Sequence, residues 1–300
     1  MPELPEVQTT TSMLNRLLKG KMVTSVWTDY GSPAHRGKSN IKDKTYFAFF
    51  KRSVQGKTIL SVSRRAKNVL MHLSGNTTIL VHMKMTGHLL YGKYAYRNGK
   101  WIPPKDGKLD DPFNRFIHLA FSLSDDKTLV LCDMRKFAKV YVLDTKKLST
   151  CDDLQYLGPE PLERSFTYAL FRAQLLKKPN GKIKTILLDQ TVIAGIGNIY
   201  SDEALWFSHI HPTTLVKNIP EKKLKALYTH IKTVLQRALK TGGDSMSDYR
   251  NPLGGKGMYQ NLHKAYRKTG ERCGKRGCTG VIRRQIVGGR SAHFCSVHQQ

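Results

Sequence analysis

Apolar positions recur at helical spacing near the start of the chain, where Val7, Thr11, Leu14, Leu17 and Leu18 form one stripe that stops at Gly20. This period predicts an amphipathic helix at the amino terminus. From there to about residue 150 the period shortens. The runs Met22 to Thr28, Thr58 to Ser63, Thr78 to Met83, Ile117 to Leu123, Thr128 to Cys132 and Lys139 to Leu143 are brief and β-rich. Strands following one another without long helices between them predict an antiparallel sandwich or barrel. Residues 91 to 114 are polar and marked by Gly and Pro, the pattern of a long loop.

Beyond about residue 152 the period becomes helical. Residues 165 to 178 and 183 to 190 read as helices, and another begins near Asn198. Pro220 suits the first turn of a helix with the apolar stripe Leu224, Leu227, Tyr228, Ile231, Val234, Leu235 and Ala238, which Gly242-Gly243 stops. After residue 243 the chain turns Gly-rich and basic until a terminal cysteine cluster. The expected organisation is therefore α+β and multidomain: an antiparallel β-sandwich flanked by helices over 1–150, a helical module over 151–264 and a small appendage over 265–300.

Charge narrows the partner. The chain carries 50 Lys+Arg against 22 Asp+Glu, a formal net charge of +28 over 300 residues, which points to a polyanion and most simply to nucleic acid. A membrane surface is the competing polyanion. No apolar run approaches the about 18 residues of a spanning helix, and the acidic start does not resemble a secretory signal. The expectation is a soluble intracellular protein, acting as a monomer.

Of the five cysteines, Cys132 and Cys151 stand alone, whereas Cys273, Cys278 and Cys295 crowd into the tail with His298. The spacing C-x4-C-x16-C-x2-H gives two close ligand pairs joined by a hairpin-length spacer, the pattern of a closed tetrahedral zinc site rather than a disulfide scaffold. Arg283, Arg284 and Arg290 fall between the ligand pairs, suited to phosphate contact.

The first residues, Met1-Pro2-Glu3-Leu4-Pro5-Glu6, carry candidate chemistry. Removal of Met1 would leave a secondary amine at Pro2. An α-amino group has a pKa of about 8, so a usable neutral fraction exists near neutrality. Such an amine can attack a sugar C1′ and form an iminium, with Glu3 beside it as a possible proton donor. The same residues also suit a plain helix start. Further on, Gly195 and Gly197 precede a helix start at Asn198, a phosphate-compatible arrangement that equally fits an ordinary helix connection.

Taken in order, PELPE at the start, RRAK at 64–67, HMKMTG at 82–87, DMRKF at 133–137, LGPEPL at 157–162, GIGNIY at 195–200 and the terminal finger resemble the formamidopyrimidine-DNA glycosylase and endonuclease VIII family. The resemblance spans nearly the whole chain, and PELPE is similar to the formamidopyrimidine branch. It implies a β-sandwich, a central helix-two-turn-helix module and a zinc-finger β-hairpin. It also implies excision of oxidised purines from duplex DNA through a Schiff base, with abasic-site lyase activity by β,δ-elimination.

Residue by residue, the resemblance makes Pro2 the nucleophile and Glu3 the acid for the sugar ring oxygen. It makes Lys67, on the RRAK strand, an aid to the lyase step, and Arg290 a phosphate contact associated with δ-elimination. His82, Lys184 and Asn198 match phosphate contacts, with Lys178 a candidate from the same basic segment. Met85, Arg135 and Phe137 match the residues that fill the void left by an extruded base. For Met85 and Phe137 a place in the strand core is the competing reading.

Several positions depart from the family pattern. The first finger loop is longer than the common C-x2-C, His298 stands for a cysteine, and Met134 and Lys136 stand where Pro and Arg are commoner. A family histidine contact is replaced near Asn114, which could still hydrogen-bond phosphate. Residues 244–266 hold the position of the family's base-capping loop without identifying a lesion. The alternatives are an oxidised-pyrimidine glycosylase of the endonuclease VIII branch and, from another class, a zinc-containing DNA-binding protein without catalysis.

Overall fold

The computed structural model describes residues 1–105 and 107–300. The chain forms two compact units, Met1–Gln155 with Gly242–Met258, and Tyr156–Thr241 with Tyr259–Gln300.

The first unit begins with α1 (Leu4–Leu18), which packs on β2 (Ile59–Arg65) and β3 (Asn68–Leu73). With β4 (Thr77–His82) and β10 (Lys139–Asp144) these strands make an antiparallel sheet in the order β10-β4-β3-β2. A second sheet, again antiparallel, has the order β1-β8-β9-β5, from β1 (Val23–Thr28), β8 (Ile117–Leu123), β9 (Thr128–Cys132) and β5 (His88–Gly92). The main core lies between the sheets, where Val69, Met71, Ile79 and Val81 meet Leu89, Leu119, Phe121, Leu129 and Leu131.

Strand alternation explains what the long segment after β5 does. Leu89, Leu119, Phe121, Leu129 and Leu131 point inward, so their neighbours Leu90, Ala120, Val130 and Cys132 must face out. That outer face is apolar, and Tyr94, Trp101 and Leu109 cover it together with Trp27. The segment expected as a loop over 91–114 therefore carries structure, including the hairpin of β6 (Ala95–Arg97) and β7 (Lys100–Ile102). Its turn is Asn98-Gly99, both at positive φ, the arrangement a two-residue hairpin turn favours.

A second element was not visible as a helix in the hydrophobic pattern. Residues Lys44–Val54 form α2, opened by Asp43, whose carboxylate accepts the Tyr46 N–H at 2.6 Å. Its Thr-Tyr-Phe-Ala-Phe-Phe run has strand-like composition. Packing of Phe50 and Val54 into the main core overrides that local preference.

The second unit contains α3 (Tyr168–Leu176), α4 (Ile183–Leu188), α5 (Asn198–Phe207) and α6 (Glu221–Lys240), then the hairpin β11 (Ile282–Val287) and β12 (Arg290–Cys295). The expected stripe on α6 is the buried face, except that Tyr228 is half-buried and its hydroxyl donates to the Phe166 carbonyl at 2.7 Å. Pro220 caps α6 rather than entering its first turn. No helix among the described residues is long and apolar enough to cross a membrane.

Because Trp101 covers the outer face of the β1-β8-β9-β5 sheet, Trp101→Ala should lower unfolding free energy by about 2 kcal/mol. Urea denaturation checks this, and an unchanged midpoint would mean that the hairpin is not part of the core.

Candidate active site and metal centre

The helix start at the amino terminus is closed by two carboxylates. Glu3 is the N-cap of α1 and its side chain accepts the Glu6 N–H, while Glu6 Oε2 accepts the Glu3 N–H at 2.8 Å. Pro2 is buried and Glu3 is 3% exposed. Burial pushes the pKa of the chain-terminal amine down; Glu3, Glu6 and Asp248 oppose this and Lys67 adds to it, leaving the pKa below the ordinary 8.0. An amine held low carries a larger neutral fraction at neutral pH. The group so placed is the Met1 amine, and the Pro2 nitrogen remains an amide while Met1 is present. Lys67 belongs to the β2–β3 turn, following Ala66 at φ 51°, rather than to the strand on which it was expected. Pro2 and Glu3 thus share the capped start of α1, and the Lys67 charge is felt at the chain-terminal amine.

A second cluster in the same unit arises from two loops. His82 ends β4, and its Nδ1 accepts the Lys84 N–H at 3.0 Å, so the ring proton sits on Nε2. Burial, with Lys84 and Lys67 nearby, lowers its pKa to about 3 and keeps the ring neutral. Met85 lies in the turn that follows, half-buried. Gly87 closes that turn against Met83, where a Cβ would fall 2.3 Å from the Met83 carbonyl oxygen. Asp133, fully buried, fastens this turn to the β9–β10 loop: it accepts from the Thr86 hydroxyl, from Tyr30 Oη at 2.9 Å and from the Ala138 N–H at 2.7 Å. The Arg135 N–H reaches the same Thr86 hydroxyl at 3.1 Å. Arg135 and Phe137 are exposed, with the guanidinium carbon 4.4 Å from the Phe137 ring centre. Phe137 is 49% exposed and Met85 sits in a turn, so neither belongs to the strand core.

Two expected phosphate contacts are corrected. Asn114 is 0% exposed; its Nδ2 donates to the Lys108 and Leu109 carbonyls at 3.1 and 3.2 Å, and its Oδ1 meets His88 Nε2 at 3.0 Å. It organises the segment it lies in and presents nothing to solvent. Lys184, in the second unit, is also 0% exposed, and Nζ donates to the Asn198 carbonyl, Ser201 Oγ and Asp202 Oδ1 at 2.9, 2.8 and 2.7 Å. An ammonium has three protons, and all are engaged internally.

Other second-unit candidates are accessible. Asn198 opens α5 and is half-buried, with Oδ1 buried and without a hydrogen-bond partner. Lys178 is exposed and pairs with Asp189 at 2.5 Å. Arg290 is the exposed first residue of β12, paired with Val287 across the Gly288-Gly289 turn.

Cys273, Cys278, Cys295 and His298 converge, all four ligand atoms lying within 4.8 Å of one another. Cys273 Sγ is 3.2 Å from His298 Nδ1, and the Cys278 and Cys295 sulfurs are 3.6 Å apart. His298 Nε2 donates to the Trp206 carbonyl at 3.1 Å, which leaves the Nδ1 lone pair facing the thiols. Backbone N–H groups of Gly280 and Val297 point to the Cys278 and Cys295 sulfurs at 3.4 Å. These residues can hold a metal ion with four protein ligands and no open position.

With this geometry established, comparison with known proteins places the chain. The family model for the formamidopyrimidine-DNA glycosylase N-terminal domain matches residues 1–140, and that for the formamidopyrimidine-DNA glycosylase H2TH domain matches residues 157–250. The chain belongs to the formamidopyrimidine-DNA glycosylase family. It is a DNA glycosylase and abasic-site lyase of base excision, and neither the endonuclease VIII branch nor a non-catalytic DNA-binding protein is favoured. The formamidopyrimidine-DNA glycosylase of Bacillus subtilis is 36% identical over 99% of this chain and 98% of its own length. Among solved structures, Lactococcus lactis Fpg with abasic-site DNA has a TM-score of 0.82 at 33% identity, covering 99% of each chain. A variant of that enzyme with Fapy-dG DNA has a TM-score of 0.83 at 33% identity, covering 100% of each.

Within this family fold, sequence reasoning missed the buried acids that hold the site. Asp133 lies inside the quoted DMRKF motif. Asp202 and Glu203 follow GIGNIY after a single residue, Ser201, and both are fully buried on α5. Asp202 Oδ2 accepts from the His293 N–H and Nδ1 at 3.0 and 2.9 Å. Glu203 accepts the consecutive N–H groups of Lys264, Ala265 and Tyr266 at 2.8, 2.9 and 2.9 Å. Together they secure β12 and the segment that leads to the metal centre. A charged residue within an apolar run is the available signal.

Removing the Lys184 partner should leave Asp202 as a poorly compensated buried charge. Lys184→Met is expected to destabilise the second unit by about 3 kcal/mol. In the folded protein the salt slope of DNA binding should stay as it was, whereas loss of a phosphate contact would reduce it by about 1. Thermal melting and salt titration together separate the two roles.

Proposed function

We propose that this enzyme removes oxidised purines of the 8-oxoguanine and formamidopyrimidine type from duplex DNA, using the amine that removal of Met1 frees at Pro2. The observation that carries this reading is the capped helix start, where Pro2 is buried directly beside Glu3 and Glu6 fixes the place of both. The neutral amine attacks C1′, and the base leaves with the electron pair of the glycosidic bond and takes up the proton that the amine nitrogen gives up. Glu3, in its protonated form, gives its proton to the ring oxygen as the C1′–O bond breaks, and the nitrogen lone pair forms the iminium between Pro2 and the opened sugar. Lys67 assists the elimination that follows, and Arg290 holds the phosphate at the lesion and supports the second elimination.

Met85, Arg135 and Phe137 fill the gap left by the extruded nucleotide. A thioether and an aromatic ring replace lost stacking, and the guanidinium bonds the orphaned partner base. Asp133 supports this role by joining the two loops that carry these residues. His82, through its Nε2 proton, Lys178 and Asn198 contact backbone phosphates. The enzyme acts as an intracellular monomer on DNA containing oxidised bases or abasic sites. Its three parts divide the work, with the sandwich carrying the chemistry, the helical module gripping the backbone and the finger presenting Arg290.

Zinc is the metal we assign to Cys273, Cys278, Cys295 and His298, since soft thiolates with an imidazole suit it. Its role is structural. One zinc per chain should be found by elemental analysis, and a Cys295→Ser, His298→Ala double variant should lose it together with DNA affinity. Unchanged metal content in that variant would defeat the assignment.

Borohydride trapping on abasic duplex tests the nucleophile. The Met1-less protein should form a covalent adduct at Pro2, and Pro2→Gly should trap far less. Glu3→Gln should lose base excision more than abasic-site cleavage. A fully active protein that retains Met1, or equal loss of both steps in Glu3→Gln, would overturn these roles.

A further inference from the structure

The loop between β9 and β10 carries Arg135 and Phe137, and three bonds hold it. The Arg135 N–H donates to Thr86 Oγ1 at 3.1 Å, and the Ala138 N–H donates to Asp133 Oδ2 at 2.7 Å. Between them the Lys136 carbonyl accepts from Lys42 Nζ at 2.7 Å. Lys136 has φ 54°, in the left-handed region, and its N–H closes the turn on the Asp133 carbonyl at 3.0 Å. A residue with a Cβ is disfavoured in that region, so the conformation depends on support from outside the turn.

Lys42 supplies that support from a segment 94 positions away. It is 6% exposed, and its backbone is fixed on both sides. The Lys42 N–H donates to Asn40 Oδ1 at 3.3 Å, and its carbonyl accepts the Ser32 N–H at 2.9 Å. Next to it, the Ile41 N–H donates to the Val140 carbonyl at 3.2 Å, which seats the segment on β10. The ammonium lies 5.5 Å from the centre of the Tyr30 ring, and the Tyr30 hydroxyl donates to Asp133 at 2.9 Å. Taking an ammonium out of water is unfavourable, and an apolar side chain fills such a site at least as well. Packing alone therefore gives no reason for a lysine at position 42, whereas the Lys136 carbonyl does.

That carbonyl belongs to the one residue separating Arg135 from Phe137, so its direction decides where the next peptide, and hence Phe137, turns. With Lys136 left-handed, the Arg135 guanidinium carbon is 4.4 Å from the Phe137 ring centre, and both side chains are exposed. We propose that Lys42 is a positioning residue for base extrusion, its buried ammonium holding the Lys136 carbonyl so that Arg135 and Phe137 are presented together to the gap in the duplex. This rests on the void-filling reading above. Thr86 and Asp133 tie the loop to the turn that carries Met85. Lys42 adds the constraint that places the two loop side chains relative to each other.

The test compares two single-turnover rates of the full zinc-loaded chain at saturating enzyme: excision of 8-oxoguanine from duplex, and cleavage of a pre-formed abasic site in the same duplex. Lys42→Met keeps an unbranched stem and removes the donor. It should slow excision by about tenfold while abasic-site cleavage and undamaged-duplex affinity stay within about twofold. Added to an Arg135→Ala, Phe137→Ala background, it should slow excision by less than about twofold further, because its effect passes through those side chains. Equal loss of excision and abasic-site cleavage would mark a merely structural residue and overturn the proposal. Unchanged excision by folded Lys42→Met, or the full loss in the Arg135, Phe137 background, would overturn it too. If Lys42→Met does not fold, Lys136→Val decides, since position 136 is exposed and a β-branched residue resists positive φ. It should slow excision more than abasic-site cleavage, and an unaltered ratio of the two rates is fatal. An Arg135→Ala, Phe137→Ala pair that excises at the wild-type rate would refute the void-filling reading instead, an outcome read separately.

Discussion

The two oxygens of Glu6 are committed in opposite directions, and the arrangement of the amino terminus depends on that. Oε2 takes the Glu3 N–H and closes the first turn of α1, while Oε1 takes the Asp244 N–H of a segment 238 residues further along the chain. One carboxylate thus sets where the helix begins and where the returning segment lies against it. Pro2 and Glu3 have defined places because the turn behind them is capped, not because proline or glutamate prefers those places.

Buried acids recur as organisers elsewhere. Asp133 joins the two loops that carry Met85, Arg135 and Phe137. Asp202 and Glu203 hold the hairpin strand and the segment entering the metal centre. A chain of net charge +28 has few carboxylates to spend. The buried Asp202 and the part-buried Asp111 neutralise Lys184 and Arg250 internally and leave exposed arginines and lysines to face a polyanion. The electrostatic character of the protein therefore divides by burial. Its basic surface recruits the substrate, and its acidic interior sets the geometry.

Covering an apolar sheet face creates a second function for the segment after β5. Leu90, Ala120, Val130 and Cys132 need cover, which Tyr94 and Trp101 supply. The same segment then delivers Asp111 to Arg250. A part of the chain that serves packing at one end braces, at the other, the returning segment that bonds to Glu6, so its length is a structural requirement rather than an ornament.

Much of this was legible in the order of the residues. Strand runs such as Thr128–Cys132, the α6 stripe and the four metal-binding residues follow from periods and spacings, which are local properties that sequence displays directly. The adjacency of a potential amine and a carboxylate at the start of the chain was legible too, and the helix start there was as well. What the tertiary structure alone decided was burial and partnership. A lysine in a basic run reads as a surface phosphate contact, yet Lys184 lies inside because Asp202, Ser201 and the Asn198 carbonyl meet it there. Asn114 reads as a replacement ligand and is a buried brace. The helix over Lys44–Val54 required the core to override a strand-like composition, and the Arg250–Asp111 pair joins residues 139 positions apart. Sequence displays which groups are available; only the packed chain determines which of them keep their hydrogen bonds for one another and which remain free for DNA.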